Sequence, residues 1–345
     1  MPELPLHCFN SITVKAPELG DDWARATIEV DPVGRPPGEI DLRYKYQEDL
    51  PDKGSSEFED LEYLLRLTVL CPLVNYSLFT KEIRLDFSLD SRDLRLFEDF
   101  LLVQSRETLV NRVLRGNEYL VAEAEWRDNQ ALAAAYKDYR AELKPSRVAR
   151  HDFARAADPD RVCVLSSGGK ESLLSYGLLK EAGAEVYPFY FNESGGHWLT
   201  AKPAFDAFTR FEPRTRKVWS NVDRVYLFIK DHMRVIRPDF REVHADLYPI
   251  RSFTFLHYAF AFWPYVLRHD ISAFVVGNEY DEPGDWTYLG VPHHFGIYDQ
   301  TQEFDWKMTK YYKERGLGME HFSVVRPLSS FSEELIIAKR YPHFN

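Results

Sequence analysis

Apolar and polar positions change their pattern near residue 150. Upstream, strand-like and helix-like spacings are mixed. Residues 24–30 and 39–46 read as strands, separated by the turn-rich DPVGRPPG. Residues 58–70 place Leu61, Leu64, Leu65 and Leu67 at helical spacing among acids and Arg66. Residues 74–80 and 83–87 read as a strand pair, and 94–113 and 131–143 as helices. Residues 49–60 form a polar loop. Residues 141–160 are rich in Arg, Ala, Asp and Lys, carry Pro145 and Pro159, and read as a partly helical connector.

Downstream, short apolar runs alternate with helical stretches. Residues 162–165 are a first strand, and 170–180 its helix, stopped by Gly183. Residues 186–191, 225–229 and 273–276 are further strands. Residues 252–268 form a long, very aromatic helix, interrupted near Pro264. This β-α-β order predicts an α/β fold, a doubly wound and mostly parallel sheet with helices on both faces. It would occupy residues 151–345, behind an α+β N-terminal domain of residues 1–150 with a substrate-binding role. Ligands of such sheets bind beyond the carboxyl ends of the strands. That rule collects residues 167–172, 191–196 and 277–282 at one edge.

The stretch VCVLSSGGKES, residues 162–172, carries the clearest chemistry. An apolar strand ends in Ser-Gly-Gly and a helix follows. Glycine lets the backbone turn tightly and approach a ligand. The helix presents unpaired N–H groups and its positive dipole end to the turn, which makes an anion site. Ser167 and Ser172 add hydroxyls and Lys170 a cation. The spacing matches neither a Walker A loop nor a dinucleotide fingerprint.

Composition bounds the rest. The 345 residues hold 45% hydrophobic and 28% charged residues, as soluble globular proteins do. The net charge of −11 argues against a general nucleic-acid partner. Cys8, Cys71 and Cys163 are far apart and form no metal pattern. MPELPLHCFN lacks a basic segment and a long apolar run, and no apolar stretch approaches the ~20 residues a membrane span needs. The expectation is a cytoplasmic protein with no membrane partner. Its oligomeric state is not legible in these features.

Ser167, Gly168, Gly169, Lys170, Glu171 and Ser172 resemble the Ser-Gly-Gly-x-Asp-Ser loop of the PP-loop ATP pyrophosphatases, a HUP-like superfamily. Glu171 stands where Asp is usual. The resemblance implies ATP as ligand, with the loop holding pyrophosphate and Mg²⁺ nearby. It implies nucleotide-binding roles for Phe191 and Asn192, unless 191–196 is an ordinary glycine turn. It implies Gly277 near ATP, and Glu279 and Asp281 beside Glu171 as metal ligands, unless that segment is a solvated acidic loop. Arg326, before a Pro-Leu turn and a helix at 329–339, would reach a phosphate or carboxylate. Ser332 would cap that helix. Arg214, Arg216 and Lys217 are a basic cluster that meets a diphosphate or solvent.

The order SSGGKES, SFTFLHYAFAFWPYVL, FVVGNEYDE, VVRPLSS and RYP is similar to that of the UDP-N-acetylmuramoyl-L-alanyl-L-glutamate epimerase family. Related PP-loop proteins often continue into a cysteine-containing tail, which these residues do not include. The likeness implies a UDP-linked muramoyl dipeptide as substrate. A free carboxylate makes the neighbouring α-proton hard to remove. Transfer of AMP to it gives a mixed anhydride, so a base removes the proton, the opposite face is reprotonated, and water releases D-glutamate. Catalytic candidates are Lys170, His293 and His294, with Tyr298 a further base. A different PP-loop ligase or tRNA-modifying enzyme, or a non-catalytic adenine-nucleotide binder, are the competing readings.

Overall fold

The computed structural model describes residues 5–121, 128–244, 250, 253–280 and 284–344. The chain opens with β1 (Phe9–Val14), β2 (Glu18–Leu19), β3 (Trp23–Pro32) and β4 (Gly38–Lys45). In β3, Ala24, Ala26, Ile28 and Val30 are buried and alternate with more accessible residues, the mark of one covered face. α1 (Ser56–Leu70) begins where Ser55 accepts a hydrogen bond from the Phe58 N–H. A 3-10 helix (Cys71–Phe79) leads to β5 (Thr80–Leu89). α2 (Ser91–Thr108) runs into a π-helical turn, Leu109–Leu114, before α3 (Asn129–Tyr136) and β6 (Glu142–Val148).

The second half contributes β7 (Asp158–Leu165), α4 (Lys170–Glu181), β8 (Glu185–Asn192), α5 (Gly196–Phe211), β9 (Arg216–Ser220) and α6 (Val222–Asp231). α7 (Phe255–Ala261), α8 (Trp263–Arg268), β10 (Ile271–Val275) and the hairpin β11 (Trp286–Tyr288) and β12 (Val291–His293) follow. α9 (Gln302–Glu314), β13 (Glu320–Phe322) and α10 (Ser330–Arg340) close it.

Among the described residues, eleven strands form one sheet, ordered β13-β10-β7-β8-β9-β4-β3-β1-β5-β6 with β2 beside β3. From β13 to β9 every pair is parallel. Chain order runs outward one way through β7, β8 and β9, then restarts on the other side with β10 and β13. The switch lies between β7 and β10, and there loops diverge and leave a crevice. Alternate residues face opposite layers. Val162, Val164, Val186, Tyr190, Ala273 and Val275 share a core with Tyr176 of α4 and Phe205 and Phe208 of α5. Cys163, Tyr187, Phe189 and Phe274 share the other with Phe260, Phe262 and Trp263 of α7 and α8. Both faces are covered, so the central stretches of β7, β8 and β10 are apolar. β9 joins the upstream strands antiparallel, with Tyr44 opposite Ser220. The sheet therefore continues across residue 150.

Several elements differ from the sequence reading. Residues 225–229 are helical: Val222, Val225, Tyr226 and Ile229 are the buried stripe of α6, a period hidden in a five-residue apolar run. The third parallel strand is instead β9, where Arg216 Nε pairs with Glu48 Oε1 at 2.6 Å. Residues 74–79 belong to the 3-10 helix, buried all round and so without alternation. The 131–143 helix ends at Tyr136, and the expected connector holds β6. β6 lies at the sheet edge, where Pro145 withholds no ladder bond from a further strand. The aromatic helix, whose residue 252 lies outside the described residues, is divided at Phe262 into α7 and α8, with Pro264 in the first turn of α8. Among the described residues, no helix is long and apolar enough to cross a membrane.

Candidate nucleotide site

The β7–α4 loop and the β10 end flank the switch point and open onto a cavity of about 470 Å³. Ser166, Ser167, Glu171 and Ser172 line it, with Phe191 from β8 and Gly277, Asn278 and Glu279 after β10. The loop is held internally. The Ser166 N–H donates to Phe189 O at 2.8 Å, and Gly168 N–H to Ser166 Oγ at 3.3 Å. Ser172 Oγ donates to Gly169 O at 2.9 Å, so this hydroxyl shapes the turn, while Ser167 is exposed. Gly168 has φ +83°, a conformation glycine adopts without strain. Gly277 admits the first turn of α4: a Cβ there would lie 2.6 Å from Glu171 Cβ.

Lys170 Nζ touches Glu171 and lies 3.2 Å from Glu279 Oε2 and 3.3 Å from Glu333 Oε2. Carboxylate oxygens of Glu171, Glu279 and Glu333 all fall within 4.8 Å of one another. Burial pulls the Lys170 ammonium down, but the hydrogen bond and charge of Glu171, with Glu279 and Glu333, outweigh it and raise the pKa. Burial pushes the Glu333 carboxyl up to about 7; Lys170 opposes this, and the Glu279 and Glu171 charges add to it. Both Glu333 oxygens are buried, and Oε2 faces the Lys170 ammonium. Three hard oxygen donors this close fit a divalent cation such as Mg²⁺. The buried Asn278 Nδ2, also without a partner, leaves a donor at the cavity wall. These features fit a polyanionic ligand with its metal.

Glu333, on the first turn of α10, completes the cluster; in the sequence it reads only as an acid that suits a helix start. Ser329 caps that helix by accepting from Ser332 N–H; Ser332 is not the cap. Asp281 lies outside the described residues. Asn192 accepts from Ser194 N–H at 3.0 Å and does not line the cavity. Arg326 does not itself line the cavity; it donates to the backbone of the lining residue Gln300 at 2.8 Å and to Asp305 Oδ2 at 2.7 Å. Arg214 pairs with Glu185 and Glu212, and the Lys217 ammonium sits over Phe205, 4.9 Å from the ring centroid.

The two histidines bound the site without lining it. His293 is buried, its Nδ1 accepting from Phe295 N–H at 3.2 Å, and burial holds its pKa down. His294 sits between Glu107 and Asp285 Oδ1, the latter at 2.7 Å from Nε2. Burial lowers its pKa, but the Glu107 and Asp285 carboxylates outweigh that and raise it. Tyr298 donates to Glu303 Oε1 at 2.9 Å. Besides Glu171 and Glu279, the titratable groups that line the cavity are Arg112, Glu193, His197 and Tyr258. Tyr258 Oη donates to Glu193 Oε2 at 3.0 Å. Glu193 follows β8, within the 191–196 segment noted in the sequence, and Tyr258 lies in α7, but nothing in spacing joins them.

Asp299 lies behind the lining residues Thr254 and Phe255. It is fully buried and accepts from Thr254 N–H at 2.6 Å and Phe255 N–H at 2.7 Å, fixing the start of α7. Burial pushes its carboxyl up to about 7, with the Glu107 charge adding to it against the opposing backbone hydrogen bonds. The folded-state pKa lies above the unfolded one, so this contribution is full below the unfolded pKa and is lost as pH rises through about 7. Asp299→Asn keeps the acceptor and removes the charge. The stability difference, variant minus wild type, should grow by on the order of 4 kcal/mol from about pH 4 to about pH 8. Thermal unfolding of both proteins across that range checks it; a constant difference refutes it.

No protein-family model, curated protein or solved structure matches this chain.

Proposed function

We propose that this chain binds ATP–Mg²⁺ at the β7–α4 loop, cleaves it between the α and β phosphates, and transfers AMP to a substrate carboxylate. The substrate in this reading is the UDP-linked muramoyl dipeptide ending in L-glutamate, released as the D epimer for peptidoglycan synthesis in the cytoplasm. One observation carries the proposal: the Ser-Ser-Gly-Gly turn stands at the switch point of a parallel sheet, on a cavity of about 470 Å³ beside three clustered carboxylates.

The chain's residues divide the work by position. The loop and the α4 N-terminus hold the leaving pyrophosphate, by placement and electrostatics. Lys170 offsets part of the charge on Glu171, Glu279 and Glu333, which would otherwise repel an anion. A magnesium ion held by those three carboxylates would neutralise phosphate charge and orient the leaving group. Phe191 offers an aromatic face to the base, and its ring lies 4.7 Å from that of Tyr258. For the α-proton, Glu193, Tyr258 and His197 are the acid–base groups that face the cavity. They replace His293, His294 and Tyr298 in this role because those three lie behind the wall.

Two measurements test the reading. Nucleotide products should be AMP and pyrophosphate; ADP and orthophosphate would exclude α–β cleavage. Turnover in heavy water should place deuterium at the glutamate α-carbon, with ATP consumed in step. AMP formation with no α-deuterium and no D-glutamate would leave an adenylating ligase and remove the epimerase.

A further inference from the structure

Arg112 is a cation that the cavity holds without a contact ion pair; burial lowers its pKa, and the Glu107 charge offsets only part of that. It lies in the π-helical turn Leu109–Leu114 at the end of α2, far in sequence from the nucleotide loop. Turns of this kind inside a long helix are frequent at functional sites. The side chain is 9% exposed and lines the cavity. Its Nη1 donates to Asn111 O at 3.2 Å, and its buried Nε has no hydrogen-bond partner. Among the described residues, no carboxylate forms an ion pair with it.

The acid that stands ready to neutralise it is already engaged. Glu107, on the same helix, accepts from His294 N–H at 2.5 Å, Gly296 N–H at 2.6 Å, His294 Nδ1 at 3.1 Å and Asn111 Nδ2 at 3.2 Å. Those bonds bind the β12–α9 loop to α2 and set the cavity wall. Burying a guanidinium without an anion is costly, and such a charge is found where a partner is to arrive. A planar fork with free donors suits a carboxylate, taken bidentately.

We propose that Arg112 binds the substrate carboxylate that is not adenylated: in the muramoyl dipeptide, the side-chain carboxylate of the terminal glutamate. This rests on the proposed function. An enzyme that activates one of two carboxylates must hold the other out of reaction. A guanidinium that ties up the lone pairs of the second does so and selects a diacid over its amide.

Wild type, Arg112→Gln and Arg112→Lys are compared with the UDP-linked muramoyl dipeptide and with its analogue bearing L-glutamine in place of L-glutamate. Wild type should prefer the glutamate form by about 100-fold in kcat/KM. Arg112→Gln should lose about 100-fold with the glutamate form, mainly through KM, and bring the preference close to one. Its ATP affinity by calorimetry should stay within about twofold of wild type. Arg112→Gln should also melt no lower than wild type, because it removes an unpaired buried charge. Retention of the preference overturns the proposal. So does a parallel loss of ATP affinity, which would assign Arg112 to the phosphates. Should Arg112→Gln not fold, Arg112→Lys decides: charge without the fork should cost at least about tenfold in the preference. If wild type binds no ATP, the proposed function has failed, and glutarate decides this inference. Glutarate should then raise the melting temperature of wild type and leave that of Arg112→Gln unmoved; an equal response in both overturns it.

Discussion

Replacing Gly168 by valine is expected to abolish ATP binding, with affinity falling at least about 100-fold in a protein that still folds. Two features combine at this position. The backbone has φ +83°, where a side chain costs about 1–2 kcal/mol and a β-branched one more. A Cβ would also lie 2.4 Å from Ala204 Cβ on α5. The loop cannot keep its curvature against α5 and accept a branched side chain. Relief must come by lifting the turn, which withdraws Ser167 and the α4 N-terminus from the cavity. Ala204→Gly in the same chain removes the contact but not the dihedral strain, so it should restore only part of the affinity. Calorimetry with ATP–Mg²⁺ on folded Gly168→Val checks this, and unchanged affinity refutes it.

Asp93→Ala is expected to cost about 3–5 kcal/mol of stability, the range for stranding one partner of a buried ion pair. Asp93 is 0% exposed. It accepts from Tyr63 Oη, from Tyr311 Oη at 2.8 Å, and from Arg315 Nε at 2.8 Å and Nη2 at 3.1 Å. The Arg315 side chain is itself fully buried, and its Nη1 donates to His151 O. Alanine leaves a buried guanidinium and two tyrosine hydroxyls without their acceptor. The cluster joins α1 and α2 to α9, so it couples residues on both sides of position 150. Urea unfolding should show one earlier transition for the variant. A loss below about 1 kcal/mol would refute the argument. Asp93→Leu with Arg315→Met should recover much of the loss, since an apolar pair of similar volume leaves no charge behind.

The Ser-Gly-Gly turn was legible because everything it needs is local. An apolar strand, two glycines and a helix start follow one another within residues 162–172, and the structure places β7, the turn and α4 there. The ends of β8 and β10 were legible for the same reason. Glu333 was not, because it sits more than a hundred and sixty residues from Lys170 and its own surroundings read as an ordinary helix start. His293 and His294 drew notice as an unusual pair, yet the hairpin turns them away from the cavity and toward Glu107 and Phe295. Arg214 and Arg216 looked available for a phosphate. Glu212 is close by in the chain, but the other partners, Glu185 of β8 and Glu48 after β4, arrive from distant segments.

By itself the sequence determined the α/β character, the strand–turn–helix order of the second half and the anion-compatible turn, since each follows from spacing within one element. It misread α6 as a strand and missed β9, because a short apolar run carries no period and a charged strand shows its ion pairs only when its neighbours are in place. Tertiary structure alone decided that β9 joins β4 and carries the sheet across residue 150. It alone decided that Lys170 meets three carboxylates, and that Arg112 reaches the cavity while Glu107 is engaged elsewhere. Those are contacts between distant segments, set by how sheet faces and helix ends meet, and no local pattern encodes them.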